Sequence, residues 1–298
     1  MHQNSQDFVD IQDHGFRVKP RTPDQYMLGA SKFADRPVIL PTRDWGPYKP
    51  KAEVQSRNGF ESFNCSNYGT HNAYESLAKL LGFTDFPSDC SERYSGVGTG
   101  TTKDGNDPHG VAEKMRTEIG FIAEEQLPFG PDIETWEQYY FPNPMRPEYL
   151  ALGRKILQKF EFGHDWVFFL SGTPEQKAVK LREALGKGPV AVSVLAWKRR
   201  GGLYWKDVGE QDTHWCQLLR ENPDGTWRVF DSYDKFEKDL EKGYDFGFAK
   251  VYYMRRYAPG EVQQKKSQLM KVVETLIELL TRLLAALAGA LAGIFQKR

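Results

Sequence analysis

Cysteine is scarce in this chain of 298 residues, and its three cysteines, Cys65, Cys90 and Cys216, are widely scattered. An odd number of cysteines at irregular spacing does not form a disulfide framework. No Cys-x-x-Cys pair is present to hold a structural zinc ion. We therefore expect neither a metal nor a cofactor, and a chain that resides in a reducing compartment.

The sequence also lacks an excess of either charge, because 40 Lys and Arg balance 40 Asp and Glu. Proteins that bind nucleic acid usually carry a basic excess, so we expect no nucleic-acid partner. The first 20 residues are polar and charged and contain no apolar core, so they do not form a secretory signal peptide. A cytoplasmic location is the resulting expectation.

Long hydrophobic runs are absent until the chain nears its C-terminus, where residues 283–295 carry no charge. Residues 1–38 show no sustained periodicity, whereas helical and strand patterns alternate from about residue 39 to 257. The predicted organisation is therefore an arm over 1–38, a domain over 39–257, a polar linker over 258–268 and an apolar helix over 269–298. Hydrophobic residues make up 40% of the chain, which is enough for a buried core.

Two interleaved series of apolar residues recur every seven positions in the tail, one from Leu269 and one from Val273. This heptad pattern predicts self-association or docking to a partner through residues 269–295. Association with a membrane is the close alternative, although 13 uncharged residues are fewer than a spanning helix needs.

Helical and strand signals are mixed along residues 39–257, which predicts an α+β fold. Helices are expected over Ser66–Leu81, ending at Gly82, and over Gly110–Ile119. A third helix begins with the capping sequence Thr-Pro-Glu-Gln at residues 173–176. The β-branched run from Val190 to Leu195 predicts a buried strand.

A hairpin is predicted between His214–Arg220 and Thr226–Asp231, because Asn-Pro-Asp-Gly at residues 222–225 is a strong turn signal. With these four residues as the loop, Asp231 lies opposite Cys216 and diagonal to His214 on the same face. The register therefore brings an imidazole close to a carboxylate. A shift of one residue would separate the two groups.

Cys65, His214 and Asp231 form the candidate catalytic constellation. Cys65 lies at the expected start of a helix, where unpaired N–H groups favour a thiolate. His214 can take the thiol proton, and Asp231 can orient the imidazole through its other nitrogen. The order Cys, His and Asp, with intervals of 149 and 17 residues, is typical of papain-type enzymes.

Seven short motifs, in the right order, resemble those of the papain-like cysteine peptidase family over most of residues 39–256. They are Leu40-Pro41 with Asp44-Trp45, Val54 with Asn58-Gly59, Cys65 with Glu75, Ser91-Glu92, the segment Gly120–Phe129, Gly188-Pro189-Val190, and His214 with Asp231-Ser232-Tyr233. The sequence departs from the family where Asp231 replaces an Asn, Tyr233 replaces a Trp and Gly59 replaces the Gln that donates to the oxyanion.

The resemblance implies a papain-like two-lobed fold, in which a helical lobe carries Cys65 and a β-rich, barrel-like lobe carries His214 and Asp231. It implies hydrolysis of peptide bonds, with a peptide or protein as substrate. The oxyanion would be held by the Cys65 backbone and the side chain of Asn58, with Gln55 as second candidate. The predicted substrate groove is lined by His109, Gly110 and Tyr233.

Other interpretations stay open at this point. Cys216 and Cys90 are expected to be packed core residues, whereas His71 and His109 are competing candidates for the base. A metal site formed by Cys65, His214 and Cys216 lacks recognisable ligand spacing. The domain could instead be a catalytically degenerate scaffold assembled through the C-terminal helix, or a cell-wall peptide hydrolase or acyl transferase that uses the same triad.

Overall fold

A computed structural model describes residues 8–9, 15–22, 25–28, 30 and 37–295, without the side chains of 8–9, 265, 266, 268, 269 and 285–295. The chain divides into two compact units, residues 1–255 and residues 256–298. Within its described residues, the first unit contains six α-helices: α1 (Cys65–Leu81), α2 (Glu92–Thr99), α3 (Pro108–Lys114), α4 (Trp136–Tyr140), α5 (Pro147–Leu157) and α6 (Pro174–Lys187). The second contains the helix α7 (Glu261–Phe295).

Helix α1 confirms the predicted helix and adds Cys65 as its first residue. It ends because Gly82 adopts a left-handed conformation (φ 68°) that favours glycine. Most of α1 is buried, including polar residues on all its faces. Such a helix lies inside the domain, so its first residue is held by packing around its whole circumference.

The other predicted helices are also confirmed, with small differences at their ends. Helix α3 begins two residues early because Asp107 accepts a hydrogen bond from the Gly110 N–H at 2.7 Å. Its continuation to Ile119 is a π-helical turn. Helix α6 has the predicted capping box between Thr173 and Gln176.

A nine-stranded sheet lies beside these helices. Its strands are β1 (Phe8–Val9), β4 (Phe160–Phe169), β5 (Val190–Val194), β6 (Lys198–Arg200), β7 (Leu203–Tyr204), β8 (His214–Glu221), β9 (Trp227–Phe230), β10 (Glu237–Leu240) and β11 (Phe248–Arg256), in the order β1-β6-β7-β10-β9-β8-β5-β11-β4. Strands β2 (Ser56–Arg57) and β3 (Phe60–Glu61) form a separate hairpin. Helix α1 packs against β8, which sets the start of the helix beside the start of the strand.

The β8–β9 hairpin confirms the prediction and corrects its loop. Asn222 and Thr226 close the hairpin with an N–H to carbonyl bond of 2.7 Å, so the loop has three residues and Gly225 takes a positive φ of 85°. Strand β8 is irregular between Leu218 and Arg220. This bulge shifts the register back, so that Gln217 pairs with Phe230 and the ends of the strands take the alignment that the sequence predicted.

Part of the N-terminal arm packs on the domain. Phe16 forms a parallel β-bridge with Asn106, and its buried ring stacks on Trp215 with centroids 5.6 Å apart. Gly15 approaches so closely that a Cβ atom there would lie 2.3 Å from the backbone oxygen of Phe63. The arm therefore covers the chain two residues before Cys65.

The second unit is the single helix α7, which begins at Glu261, inside the predicted linker over 258–268. The helix begins here because the Glu261 carboxylate accepts a hydrogen bond at 3.0 Å from the Ala258 N–H, which precedes the first turn. Large apolar side chains from Leu276 to Leu284 are exposed. Among the residues that the structure describes, no helix has the length and apolarity needed to cross a bilayer.

Candidate active site

Cys65 lies at the N-terminus of α1, and its side chain is completely buried. Burial raises the pKa of the Cys65 thiol, while hydrogen bonds with the Trp215 backbone N–H and with Ser66 act in the opposite direction. Trp215 directly follows His214 in β8. Helix α1, which begins at Cys65, packs against this strand.

His214 is the first residue of β8 and pairs with Val194 of β5. Its ring is buried, with the Trp197 ring centroid 5.7 Å away and the Tyr233 ring centroid 5.3 Å away. Its Nε2 atom lies 2.5 Å from Oδ1 of Asp231. The structure therefore brings together the imidazole and carboxylate that the hairpin register predicted.

Asp231 follows β9 and is also buried. Besides His214, it accepts hydrogen bonds from the Ser232 N–H at 2.7 Å and from Nζ of Lys238 at 2.5 Å. Burial acts to raise the pKa of Asp231, but His214 and Lys238 lower it to about 2. Asp231 is consequently a carboxylate at neutral pH.

A second polar network joins the segment before Cys65 to the segment after Asp231. The Gln55 amide donates to Glu61 at 2.9 Å and to the Tyr233 hydroxyl at 2.7 Å. The hydroxyl of Ser232 donates to Gln55, and that of Tyr233 donates to Glu61, both at 2.7 Å. Burial raises the pKa of Glu61, while its partners Tyr233 and Gln55 lower it.

The two residues predicted to donate to an oxyanion have other hydrogen-bond partners. Gln55 donates to Glu61 and Tyr233, as described above. Asn58 donates to the backbone oxygen of Pro131 at 2.7 Å in an exposed position. Both hydrogens of the Gln55 amide are engaged, so Gln55 would have to exchange one hydrogen bond to serve an oxyanion, whereas Asn58 uses only one of its two. The assignment of either residue to the oxyanion stays a prediction.

The residues predicted to line the groove lie in two places. Tyr233 is next to the His214 ring, whereas His109 and Gly110 lie on α3. Nδ1 of His109 lies 3.2 Å from Nζ of Lys250, and its ring makes an edge contact with His164 at 5.1 Å. Burial lowers the pKa of Lys250 to about 7 and that of His164 to about 3.

Two groups of side chains within the described residues are of the kinds that bind metals. They are His71, Glu75 and Cys90, and His109, Glu113 and His164. In both groups the carboxylate already has a partner. Glu75 accepts from the Cys90 N–H at 2.5 Å, and Glu113 accepts from Arg116 at 2.9 and 2.6 Å.

Lys238 was not among the predicted site residues, although the sequence contains a signal for it. In β10 the side chains alternate, and Lys238 shares the buried face of the strand with Leu240. A lysine that faces the core of a sheet requires an acidic partner, because an isolated buried charge is very costly. The pattern alone does not tell which acid it is.

The sequence matches no family model and no curated protein. Solved structures do resemble it. Xylellain, a cysteine protease from Xylella fastidiosa, is 12% identical with a TM-score of 0.53, over 83% of this chain and 97% of that one. Procathepsin L2 from Tenebrio molitor is 16% identical with a TM-score of 0.53, over 80% and 78% of the two chains.

The proform of Amb a 11, a cysteine protease and ragweed pollen allergen, is 19% identical with a TM-score of 0.51, over 76% of this chain and 71% of that one. At such identities the likeness concerns the fold. The chain has a papain-like α+β fold, as predicted.

Proposed function

We propose that this chain, with its papain-like fold, is a cysteine peptidase in which Cys65 is the nucleophile, His214 the general base and acid, and Asp231 the group that orients His214. The observation that carries the proposal is the 2.5 Å contact between His214 and Asp231. It is made at the start of β8, the strand against which α1, the helix that begins at Cys65, packs. A nucleophile, a base and an orienting group on three distant segments are the parts this chemistry needs.

The mechanism follows from which nitrogen Asp231 engages. With Nε2 bonded to Asp231, Nδ1 of His214 is the atom that receives the proton from Cys65. The sulfur then attacks the peptide carbonyl, and the Cys65 backbone N–H supports the developing oxyanion. The imidazolium gives its proton to the leaving amine, leaving a thioester, and a water activated by neutral His214 hydrolyses that thioester.

The burial of Cys65 makes the ionisation of its thiol depend on His214. Because burial raises the pKa of Cys65, the thiol keeps its proton until His214 removes it. We therefore expect the reactivity of Cys65 to depend on His214, in contrast to a free thiol whose reactivity follows its own ionisation.

Labelling with an epoxide directed at thiols tests the proposal. We expect modification of Cys65, identified by peptide mass mapping, at a rate at least about 100-fold above that of free cysteine at pH 7. The His214→Ala variant should lose this labelling, whereas Cys216→Ser should retain it. Equal labelling of the wild type and His214→Ala would contradict the assignment.

A degenerate scaffold is the second candidate, favoured by the engagement of both amide hydrogens of Gln55 with other partners. A scaffold would react no faster than free cysteine. If Cys65 is reactive, products formed from a peptide, a cell-wall peptide and an added amine acceptor separate peptide hydrolysis from cell-wall hydrolysis and acyl transfer.

We also propose that α7 joins copies of this chain, since the heptad positions Leu276, Leu280 and Leu283 are exposed. The double substitution Leu276→Glu/Leu283→Glu is expected to reduce the mass measured by sedimentation to that of a monomer. Lys271→Glu, on the opposite face of the helix, is the control and should leave the mass unchanged. A wild type that is monomeric and binds lipid vesicles would instead favour contact with a membrane.

A further inference from the structure

Lys238 has the surroundings of a permanently charged group, although its side chain is only 2% exposed. Its Nζ atom donates to Oδ2 of Asp231 at 2.5 Å and to the backbone oxygens of Asp234 and Lys235 at 2.9 and 3.0 Å. The three hydrogens of an ammonium group thus have three acceptors. The ring of Trp197, centred 4.9 Å away, adds a favourable cation–π contact.

The two oxygens of Asp231 serve different partners. Oδ1 faces His214 and the Ser232 N–H, whereas Oδ2 faces Lys238. Because both oxygens are engaged, the carboxylate cannot rotate without breaking a charged hydrogen bond. Whenever His214 is neutral, the ammonium of Lys238 is the cation that remains beside the buried carboxylate.

We propose that Lys238 is a positioning residue for the catalytic histidine: it fixes Asp231 and offsets its charge, so that His214 faces an acceptor as nearly neutral as an asparagine. This inference rests on the proposed function, since it concerns the same site. It explains how the chain can carry Asp231 where the resembling family has Asn. An uncompensated carboxylate would stabilise the imidazolium more strongly and so make it a weaker acid towards a leaving amine.

The other ionisable groups around the pair come from several elements. Glu61 lies on β3, Cys65 on α1, Tyr204 on β7, Cys216 on β8, and Tyr233 follows Asp231. Burial raises the pKa of each of them. The thiols and phenols are therefore uncharged at neutral pH, and none of these groups can replace the cation.

The charges of Lys238 and Asp231 determine the direction in which each substitution shifts the titration midpoint of His214. Without the ammonium, the full negative charge of Asp231 stabilises the protonated His214 ring, so the titration midpoint of the ring moves to higher pH. Without the carboxylate, the midpoint moves to lower pH. Removing both charges together restores a neutral environment, and the midpoint returns towards its original value.

The test measures the titration midpoint of His214 by NMR of protein labelled with ¹⁵N-histidine, assigned with His214→Gln. We expect Lys238→Met to raise the midpoint by about one pH unit or more and Asp231→Asn to lower it. The double variant Asp231→Asn/Lys238→Met should return within about 0.5 unit of the wild type. Lys238→Arg, which retains the charge, should also stay close to the wild type.

If Lys238→Met does not fold, the double variant and Lys238→Arg still decide the question. A double variant that titrates like Asp231→Asn alone would show that Lys238 does not balance Asp231, and the inference would be overturned. The measurement does not require catalysis, and it can be repeated in Cys65→Ser. A failed epoxide reaction with the expected midpoints would therefore refute the proposed function but leave the charge balance between Lys238 and Asp231 established.

Discussion

The Gly15→Val substitution is expected to increase the rate at which an epoxide modifies Cys65 by roughly tenfold or more, since it displaces a segment that shields the site. The carbonyl of Gly15 accepts from the Asn106 N–H at 2.9 Å, and the Arg17 N–H donates to Asn106 at 3.1 Å. The backbone N–H and carbonyl of Asn106 are therefore both paired with this segment of the chain.

Asn106 lies close to Cys65, the proposed nucleophile, because its carbonyl also accepts a hydrogen bond at 2.9 Å from Ser66, the residue after Cys65. A valine at position 15 meets two obstacles. Its Cβ would lie 2.3 Å from the Phe63 oxygen, and the φ of 85° is unfavourable for a β-branched residue. Two hydrogen bonds and the stacked ring of Phe16 would be lost together.

Gly202→Val provides a matched control. Gly202 also has a positive φ of 91°, but no atom lies within 4 Å of a Cβ placed there. Both variants therefore carry backbone strain, and only Gly15→Val collides with Phe63. The interpretation fails if both variants react like the wild type, or if Gly15→Val reacts more slowly while it remains folded. The assay is run below the melting temperature of both variants, because loss of the packing of the buried Phe16 ring also lowers the free energy of unfolding.

Local signals predicted the elements that position the site. The left-handed Gly82 ends α1 and the capping box begins α6, and both depend on residues within one helical turn. The loop of the hairpin differs from the prediction. The loop has three residues, one fewer than the predicted loop Asn222–Gly225. The bulge near Leu218 compensates for this difference, so the predicted alignment of Asp231 with Cys216 is still correct.

Contacts between distant segments could not be predicted in this way. The pairing of Lys238 with Asp231 depends on how β10 lies beside β9, and no pattern within β10 specifies it. The hydrogen bonds from Gln55 to Glu61 and Tyr233 depend on how two loops meet, and Gln55 and Tyr233 are 178 residues apart in the sequence. The stacking of Phe16 on Trp215 joins an irregular arm to a core strand. Such contacts form only when distant segments come together in the fold, and no periodic pattern in the sequence indicates them.

The Gly69→Ala substitution is expected to destabilise the protein by about 1–3 kcal/mol, although replacing glycine by alanine inside a helix normally stabilises it by up to about 1 kcal/mol. Gly69 lies on α1, four residues after Cys65, and a Cβ there would lie 2.6 Å from Cδ1 of Trp215. Trp215 is completely buried, and Phe16 and Trp166 pack on its ring. The indole therefore has no space into which to move.

Urea unfolding of Gly69→Ala measures the destabilisation, and the epoxide reaction measures its effect on the site. Any shift of Trp215 also moves the adjacent His214, so we expect the reactivity of Cys65 to fall together with the stability. Gly186→Ala in α6 is the control, because its Cβ would meet Val38 at an ordinary 3.4 Å. That variant should be as stable as the wild type or more stable. If Gly69→Ala is stabilised to the same degree, helix α1 and strand β8 are not packed as closely as the contact with Trp215 requires.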